Sequence, residues 1–291
     1  MSDVTDLGFA ADAAVAVVHA DDIGMSHAAN EGAFEALAHG PATCGSVMVT
    51  CPWFTEAAAT ARAEPGFDLG VHLTLNAEYE GYRWGPVTDA PTLVGADGTL
   101  FADPSDTVRH ADPDEVHVEL RAQIQRALDA GIDVTHIDSH MGTVFSAKFF
   151  AIYLELAREF TVPAFLPTGA DEPPEDAPTL DPMLAMGADG WPLFDSFCAD
   201  SLGFAPGDGA DHNRRRIAGL GPGLSYLICH PAAGGTELDA ITPDSAHCRD
   251  FERTFYGGQA GRAALADAGV ETTGMRALRD LLHRRRAQES P

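Results

Sequence analysis

The sequence predicts an α/β fold, an irregular (β/α) barrel of about seven parallel strands in the manner of a TIM barrel. Three observations predict it. Short apolar runs alternate with helical stretches along the chain, the pattern of parallel strands joined by helical crossovers. Polar residues of chemical interest sit at the ends of four of those runs, where a parallel barrel collects its functional face. No GxGxxG or GxxxxGK[ST] loop follows any run, which disfavours the open doubly wound sheet, the runner-up.

The elements follow in order. AVAVV, residues 14–18, reads as a buried strand. SHAANEGAFEALAHG then reads as a helix, with Ser26 as N-cap and Gly40 as its stop. GSVMVT (45–50) is a second strand, WFTEAAATARAE a helix, and FDLGVHLTL (67–75) a third strand. DPDEVHVELRAQIQRALDAG is an amphipathic helix with Asp112 or Asp114 near its start and Gly131 after it. DVTHIDS (133–139) is a fourth strand, SAKFFAIYLELAREF a helix, and PAFLP a short strand behind it. FDSFCA (194–199) and LSYLICHPA (224–232) are further strands, followed by helical segments near 245–268 and 273–286. With no repeat and no clear linker, residues 1–291 are expected to form a single catalytic domain. Two segments exceed ordinary loop length, 76–111 and 168–191. Each follows a predicted strand. The first reads as a substrate-covering loop; the second, rich in Pro, Gly and acids, reads as a solvated excursion.

Composition narrows the function. The net charge of −26, from 44 acidic and 18 basic residues, argues against a nucleic-acid or anionic-membrane partner. Lys148 is the only lysine, so a Schiff-base mechanism would rest on that residue alone. The five cysteines are scattered and have no CxxC spacing, which fits free thiols in a reducing compartment. No signal-peptide pattern and no apolar run of membrane-spanning length are visible, and a cytoplasmic location is expected.

The four polar strand ends are HADD (19–22), GVHLTLN (70–76), HIDSH (136–140) and ICHPA (228–232). HIDSH could be a helical metal-binding pair, but Val134, Thr135 and Ile137 favour a strand. On a strand His136, Asp138 and His140 share a face, and the two histidines lie about 13 Å apart at roughly 3.3 Å per residue. They could not easily share one ion, so His140, nearer the C-terminal end, is the expected ligand and His136 a packed or supporting residue. Asp22, His72 and His140 then form an Asp-His-His set from three strands. Three protein ligands with a position left for water is the pattern of a hydrolytic metal site. A nucleophilic serine is disfavoured: Ser139 adjoins His140, but there is no GxSxG elbow.

HADDIG, GVHLTLN, THIDSHMGT and CHPA resemble, in this order, the four motifs of the YdjC-like carbohydrate deacetylases, which include chitooligosaccharide deacetylases. The resemblance runs from about residue 14 to about residue 285. It implies an irregular (β/α) barrel and metal-dependent removal of an acetyl group from an N-acetylated sugar. By motif position it implies Asp22, His72 and His140 as ligands of one divalent ion. It also implies Asp21 as general base and His230 as acid or oxyanion stabiliser. Two histidines and a carboxylate suit zinc, and the carboxylate also admits magnesium or manganese. One departure stands out: family members often read DSHHHVH or DSHQHVH where this chain has DSHMGT. Met141 and Gly142 thus replace polar residues, which puts the chitooligosaccharide substrate in question.

In the first long segment, Tyr79, Arg83 and Trp84, with Tyr82, offer aromatic faces and a cation to a sugar. The alternative is a loop anchored by its own aromatics. Trp191 is a weaker candidate. The expected partner is a small N-acetylated sugar, with neither nucleic acid nor membrane, and a homodimer is left open. A metal-dependent hydrolase of a non-sugar amide and a non-catalytic metal- or carbohydrate-binding protein are the alternatives. Asp21 argues against the second, because binding an ion needs no additional repelling carboxylate.

Overall fold

The structure, a computed structural model, describes residues 3–169 and 178–289. Its strands are β1 (Ala14–Ile23), β2 (Cys44–Val47), β3 (Leu69–Leu73), β4 (Val134–Ser139), β5 (Ser196–Cys198), β6 (Gly223–Cys229) and β7 (Val270–Thr272). They pair in parallel in the order β4-β3-β2-β1-β6-β5, and β7 adds to the first residues of β1. Central β1 is buried along nearly its whole length, as a strand flanked on both sides must be.

The predicted strand PAFLP forms only two isolated bridges, Ile137 with Ala164 and Pro167 with Phe194. Those bridges close the ring. Phe165 donates its N–H to the Ile137 carbonyl on the β4 side, and Phe194 donates to the Leu166 carbonyl on the β5 side. Pro163 and Pro167 lack the N–H a regular ladder needs, so this stave is irregular. The result is the α/β, irregular (β/α) barrel that the alternation of strands and helices predicts.

The helices form for readable reasons. Ser26 caps Ser-His-Ala-Ala by accepting from the Ala29 N–H, and the helix His27–His39 stops at Gly40. Asp112 caps the helix Pro113–Asp129, whose Pro113 loses nothing at the first turn. Several elements differ from expectation: β1 runs to Ile23 and not to residue 18, β2 ends at Val47, and the helices Gly209–Ala218 and Thr236–Ile241 are additional. The stretch near 245–268 is two helices, Ala246–Tyr256 and Gln259–Asp267, separated at Gly257 and Gly258. β7 was not predicted: three residues, two of them exposed, carry too little pattern to read. The segment 76–111 contains a short helix, Pro104–His110, and a 3-10 turn, Pro91–Leu93. Of 168–191, residues 170–177 lie outside the described residues, and a helix follows at Asp181–Ala188.

Inside the barrel, one close approach needs glycine. A Cβ at Gly70 would stand 2.5 Å from the His136 ring, so Gly70 on β3 makes the space that His136 on β4 occupies. All five cysteines are free. Among the described residues, no helix is long and apolar enough to cross a membrane.

Candidate active site

A regular strand would turn Asp21 and Asp22 to opposite faces. Asp22 instead has φ 65°, in the left-handed region where a non-glycine residue is strained. That kink at the end of β1 brings both carboxylates to the C-terminal mouth of the barrel. His72 arrives on β3. His140 leaves β4 into a turn in which Met141 and Gly142 are also left-handed. His230 follows β6 directly.

Asp22, His72 and His140 converge and are all buried. His72 Nε2 lies 3.6 Å from Asp22 Oδ1, and His140 Nδ1 lies 3.5 Å from the same oxygen. These gaps are long for hydrogen bonds. They match the spacing of roughly 3.3 Å between neighbouring ligands of one ion bound at about 2.0–2.1 Å. The far nitrogens are already engaged: His72 Nδ1 with Asp138 Oδ1 at 3.0 Å, and His140 Nε2 with Glu78 Oε2 at 2.9 Å. Carboxylates behind both rings fix their orientation and raise their basicity, as metal-binding histidines require. The three residues therefore fit a divalent ion.

The electrostatics are severe. Burial alone would raise the Asp22 carboxyl. The Arg249 guanidinium, 2.7 Å from Oδ2, together with the neighbouring His140 and His230, holds it well below the usual carboxylate range. Burial alone would lower His72, but Asp138 outweighs it and the ring is raised. Burial would lower His140 too, yet Glu78 and Asp22 push it up to about 10. Deep in the barrel, burial drives His136 down to about 3, assisted by the adjacent His19.

Asp21 is held from one side and open on the other. Its Oδ1 pairs with His19 Nδ1 at 2.5 Å, while Oδ2 lies 3.8 Å from His230 Nε2 and 3.9 Å from His72 Nε2. Behind it, His19 Nε2 meets His136 Nε2 at 2.8 Å, His136 Nδ1 meets the Thr135 hydroxyl at 2.9 Å, and that hydroxyl donates to Asp68. His136 is thus part of a buried chain that reaches back from Asp21 and not one of the converging trio.

His230 has its own support. Ser201 donates to Glu252 at 2.6 Å and meets His230 Nδ1 at 2.9 Å, and the His230 backbone N–H donates to Glu252 at 2.7 Å. While Glu252 is ionised, the single hydroxyl proton of Ser201 is committed to it. Ser201 then accepts from His230 Nδ1–H, which leaves Nε2 as the bare nitrogen facing Asp21. Burial lowers His230 to about 4 and lifts Glu252 to about 7, the latter against the opposing pull of Arg216.

The aromatic loop is placed differently. Arg83 directs its guanidinium to the Thr99 hydroxyl and to the Ala77 and Leu100 carbonyls. Trp84 is buried, with its indole N–H on the Asn76 carbonyl. Both hold their own loop together. Tyr79 hydrogen-bonds into the site's polar network, accepting from Arg249 at 3.1 Å, and the Trp84 ring stands 6.3 Å from that of His140. Trp191 is in the core with its N–H on Val162, which corrects its reading as a sugar platform.

Five residues of the site were not singled out from sequence, Ser201 among them. Asp138 had a signal, since it alternates with His136 and His140 on β4. Arg249 and Glu252 lie three apart on one helix, a spacing that reads equally well as a solvated face. Glu78 carried no signal within its loop.

The sequence profile of the YdjC-like protein family matches residues 15–271. A carbohydrate deacetylase of Thermus thermophilus is 34% identical over 233 residues, covering 79% of this chain and 81% of that one. A carbohydrate deacetylase of Brevibacillus brevis is 36% identical over 152 residues, covering 52% of this chain and 58% of that one. Among solved structures, a protein of Enterococcus faecalis V583, provisionally named for cellobiose-phosphate cleavage, superposes with a TM-score of 0.74. It is 24% identical and covers 91% of this chain and 99% of that chain. That likeness establishes the shared fold. With the profile spanning most of the sequence and the four motifs gathered at one barrel mouth, the chain belongs to the YdjC-like family.

Proposed function

We propose that this protein is a carbohydrate deacetylase: a metal-dependent hydrolase that removes an acyl group from the nitrogen of an amino sugar. The observation that carries the reading is the convergence of Asp22, His72 and His140 beside a second carboxylate, Asp21, that takes no part in the trio. The names of the curated relatives support the same class of reaction.

Asp22, His72 and His140 would hold the ion. A divalent ion there supplies polarisation of the amide carbonyl and acidification of a water. Asp21 accepts the water's proton at Oδ2, the oxygen His19 leaves unengaged, as general base. His19 fixes the carboxylate's rotation. His230 presents Nε2 across from Asp21, placed to relay that proton to the departing nitrogen, and Ser201 and Glu252 hold the ring in position. Arg249 offsets the Asp22 charge and keeps its second oxygen occupied. On the sugar side, Tyr79 stands at the edge of this network.

Metal analysis of the purified protein, combined with acetate release from a panel of N-acetylated sugars, tests the reading. Stoichiometric zinc, magnesium or manganese with acetate release supports it. A metal-loaded protein that hydrolyses a non-sugar amide but none of the sugars would move the substrate class. A protein inactive on the panel after addition of each metal would overturn the assignment.

A further inference from the structure

Beside Asp21 and His230 lies a cavity of about 460 Å³, a volume in the range of pockets that enclose small organic ligands. Its polar groups, Asp21, Asp138, Ser139 and His230, are those of the site or next to them. The remaining wall is apolar, built chiefly of Met141, Phe145, Phe165, Phe197, Tyr226 and Ile228. The Tyr226 hydroxyl lies 3.4 Å from Asp138, itself part of the lining, and its ring packs on Phe165 at 4.4 Å and on His19 at 4.8 Å. Asp22, His72 and His140 do not line it. Asp21 and His230 therefore stand between the metal-binding trio and an apolar chamber.

The surface points to the same place. Six large apolar side chains among the described residues are exposed, and three of them, Met141, Leu180 and Phe197, border this chamber. Exposed apolar groups gathered at one cavity mark a binding site.

A substrate amide whose carbonyl is aimed at the trio has two arms, the acyl group and the sugar. A sugar in the chamber would lose water from its hydroxyls along the apolar wall, since only the end at Asp21, Asp138, Ser139 and His230 can return hydrogen bonds. An acyl chain there gains about fourfold in binding for each methylene buried. We propose that the preferred substrate carries a medium-length aliphatic N-acyl group, longer than acetyl, seated in this chamber while the sugar faces solvent. The proposal rests on the deacylase reading and extends it to the acyl side. In the reaction the water oxygen bonds to the carbonyl carbon. The C–N bond breaks with its electron pair on nitrogen, and the water proton passes by way of Asp21 and His230 to that nitrogen. The products are a fatty carboxylate and the free amino sugar, and no redox partner is needed.

The test uses the full-length, metal-loaded protein with N-acetyl-, N-butyryl- and N-hexanoylglucosamine, following release of the amine. The expected result is kcat/KM for hexanoyl on the order of tenfold or more above acetyl. Ile228→Trp, which fills the chamber, is expected to cut the hexanoyl-to-acetyl ratio by a similar factor; a ratio is insensitive to partial loss of folded protein. Calorimetric titration with hexanoate and acetate reads the chamber without turnover, and hexanoate is expected to bind the tighter. If acetyl is hydrolysed best and the longer chains are not, the proposal falls and the deacetylase reading stands. If no amine is released from any of the three, the deacylase reading fails. Titration then decides the chamber: tighter hexanoate supports it as an acyl site, and equal affinity overturns it.

Discussion

The two sides of the barrel mouth are built on opposite principles. The side formed by the ends of β1, β3 and β4 packs Asp22, His72, Asp138 and His140 into a buried polar cluster in which each histidine has a carboxylate behind it. The side formed by the 163–168 stave, β5 and β6 lines its cavity with the buried Phe165, the half-buried Ile228 and the exposed Phe197. The first side holds charge that would be ruinous unless paired. The second holds apolar side chains that need no charged partner, with Phe197 left exposed at its edge. The difference teaches which side chemistry constrains and which side substrate choice can reshape.

The sharpest way to break the comparison is on the polar side. His72→Ala or His140→Ala is expected to abolish stoichiometric metal binding and lower amide hydrolysis on the order of 10³-fold or more. Metal analysis and an amine-release assay check both. Asp21→Asn separates the roles within the cluster: metal content is retained, while kcat falls by about 10²–10⁴. If that variant keeps full activity, Asp21 is not the base.

Arg249→Ala tests the pairing itself. It leaves the buried Asp22 carboxylate without its cation, and the expected cost is about 3–5 kcal/mol in the metal-free protein. Denaturant unfolding with and without bound metal should show a smaller loss when an ion takes over the compensation.

Beneath His230, Glu252 predicts a pH dependence. Its carboxyl is lifted from 4.5 to about 7 by burial. Below about pH 4.5 the group is protonated in both folded and unfolded states. Between there and about 7 the folded state binds the extra proton, so stability falls as pH rises and levels off above 7, by ~3 kcal/mol in total. Glu252→Gln should flatten that window in pH-dependent unfolding. The smallest effect belongs to the open apolar wall. Phe197→Ser, at a position 38% exposed, should change stability by less than about 1 kcal/mol in the same measurement.

The barrel was legible because alternation of strand and helix is written locally, in runs of four to ten residues with caps such as Ser26 and Asp112. The converging trio was legible for a different reason: polar residues interrupt apolar strands at their C-terminal ends, and a parallel barrel gathers those ends. What stayed hidden depends on contacts between distant segments or on backbone angles. The kink at Asp22 follows no residue rule, since aspartate is not the residue a left-handed position would choose first. The 163–168 stave reads as a strand from PAFLP, but its reduction to isolated bridges follows from where its prolines meet the neighbouring strands. Arg83 and Trp84 suit either a sugar or a loop by composition, and only their hydrogen bonds place them on the loop's own backbone. Arg249 looks like any helix-surface arginine until the fold turns it inward.

The bond from Arg249 to Asp22 spans 227 residues. During synthesis the HADD strand therefore emerges long before the guanidinium that neutralises it, with a lag on the order of ten seconds or more at ordinary elongation rates. Throughout that interval Asp22 lacks the guanidinium that receives it in the finished fold. The barrel's central strand cannot settle electrostatically until the helix Ala246–Tyr256 has left the ribosome. Completion of this fold is thus timed by its C-terminal third, and a chain interrupted before residue 249 would keep Asp22 beside its histidines but without the guanidinium that offsets its charge.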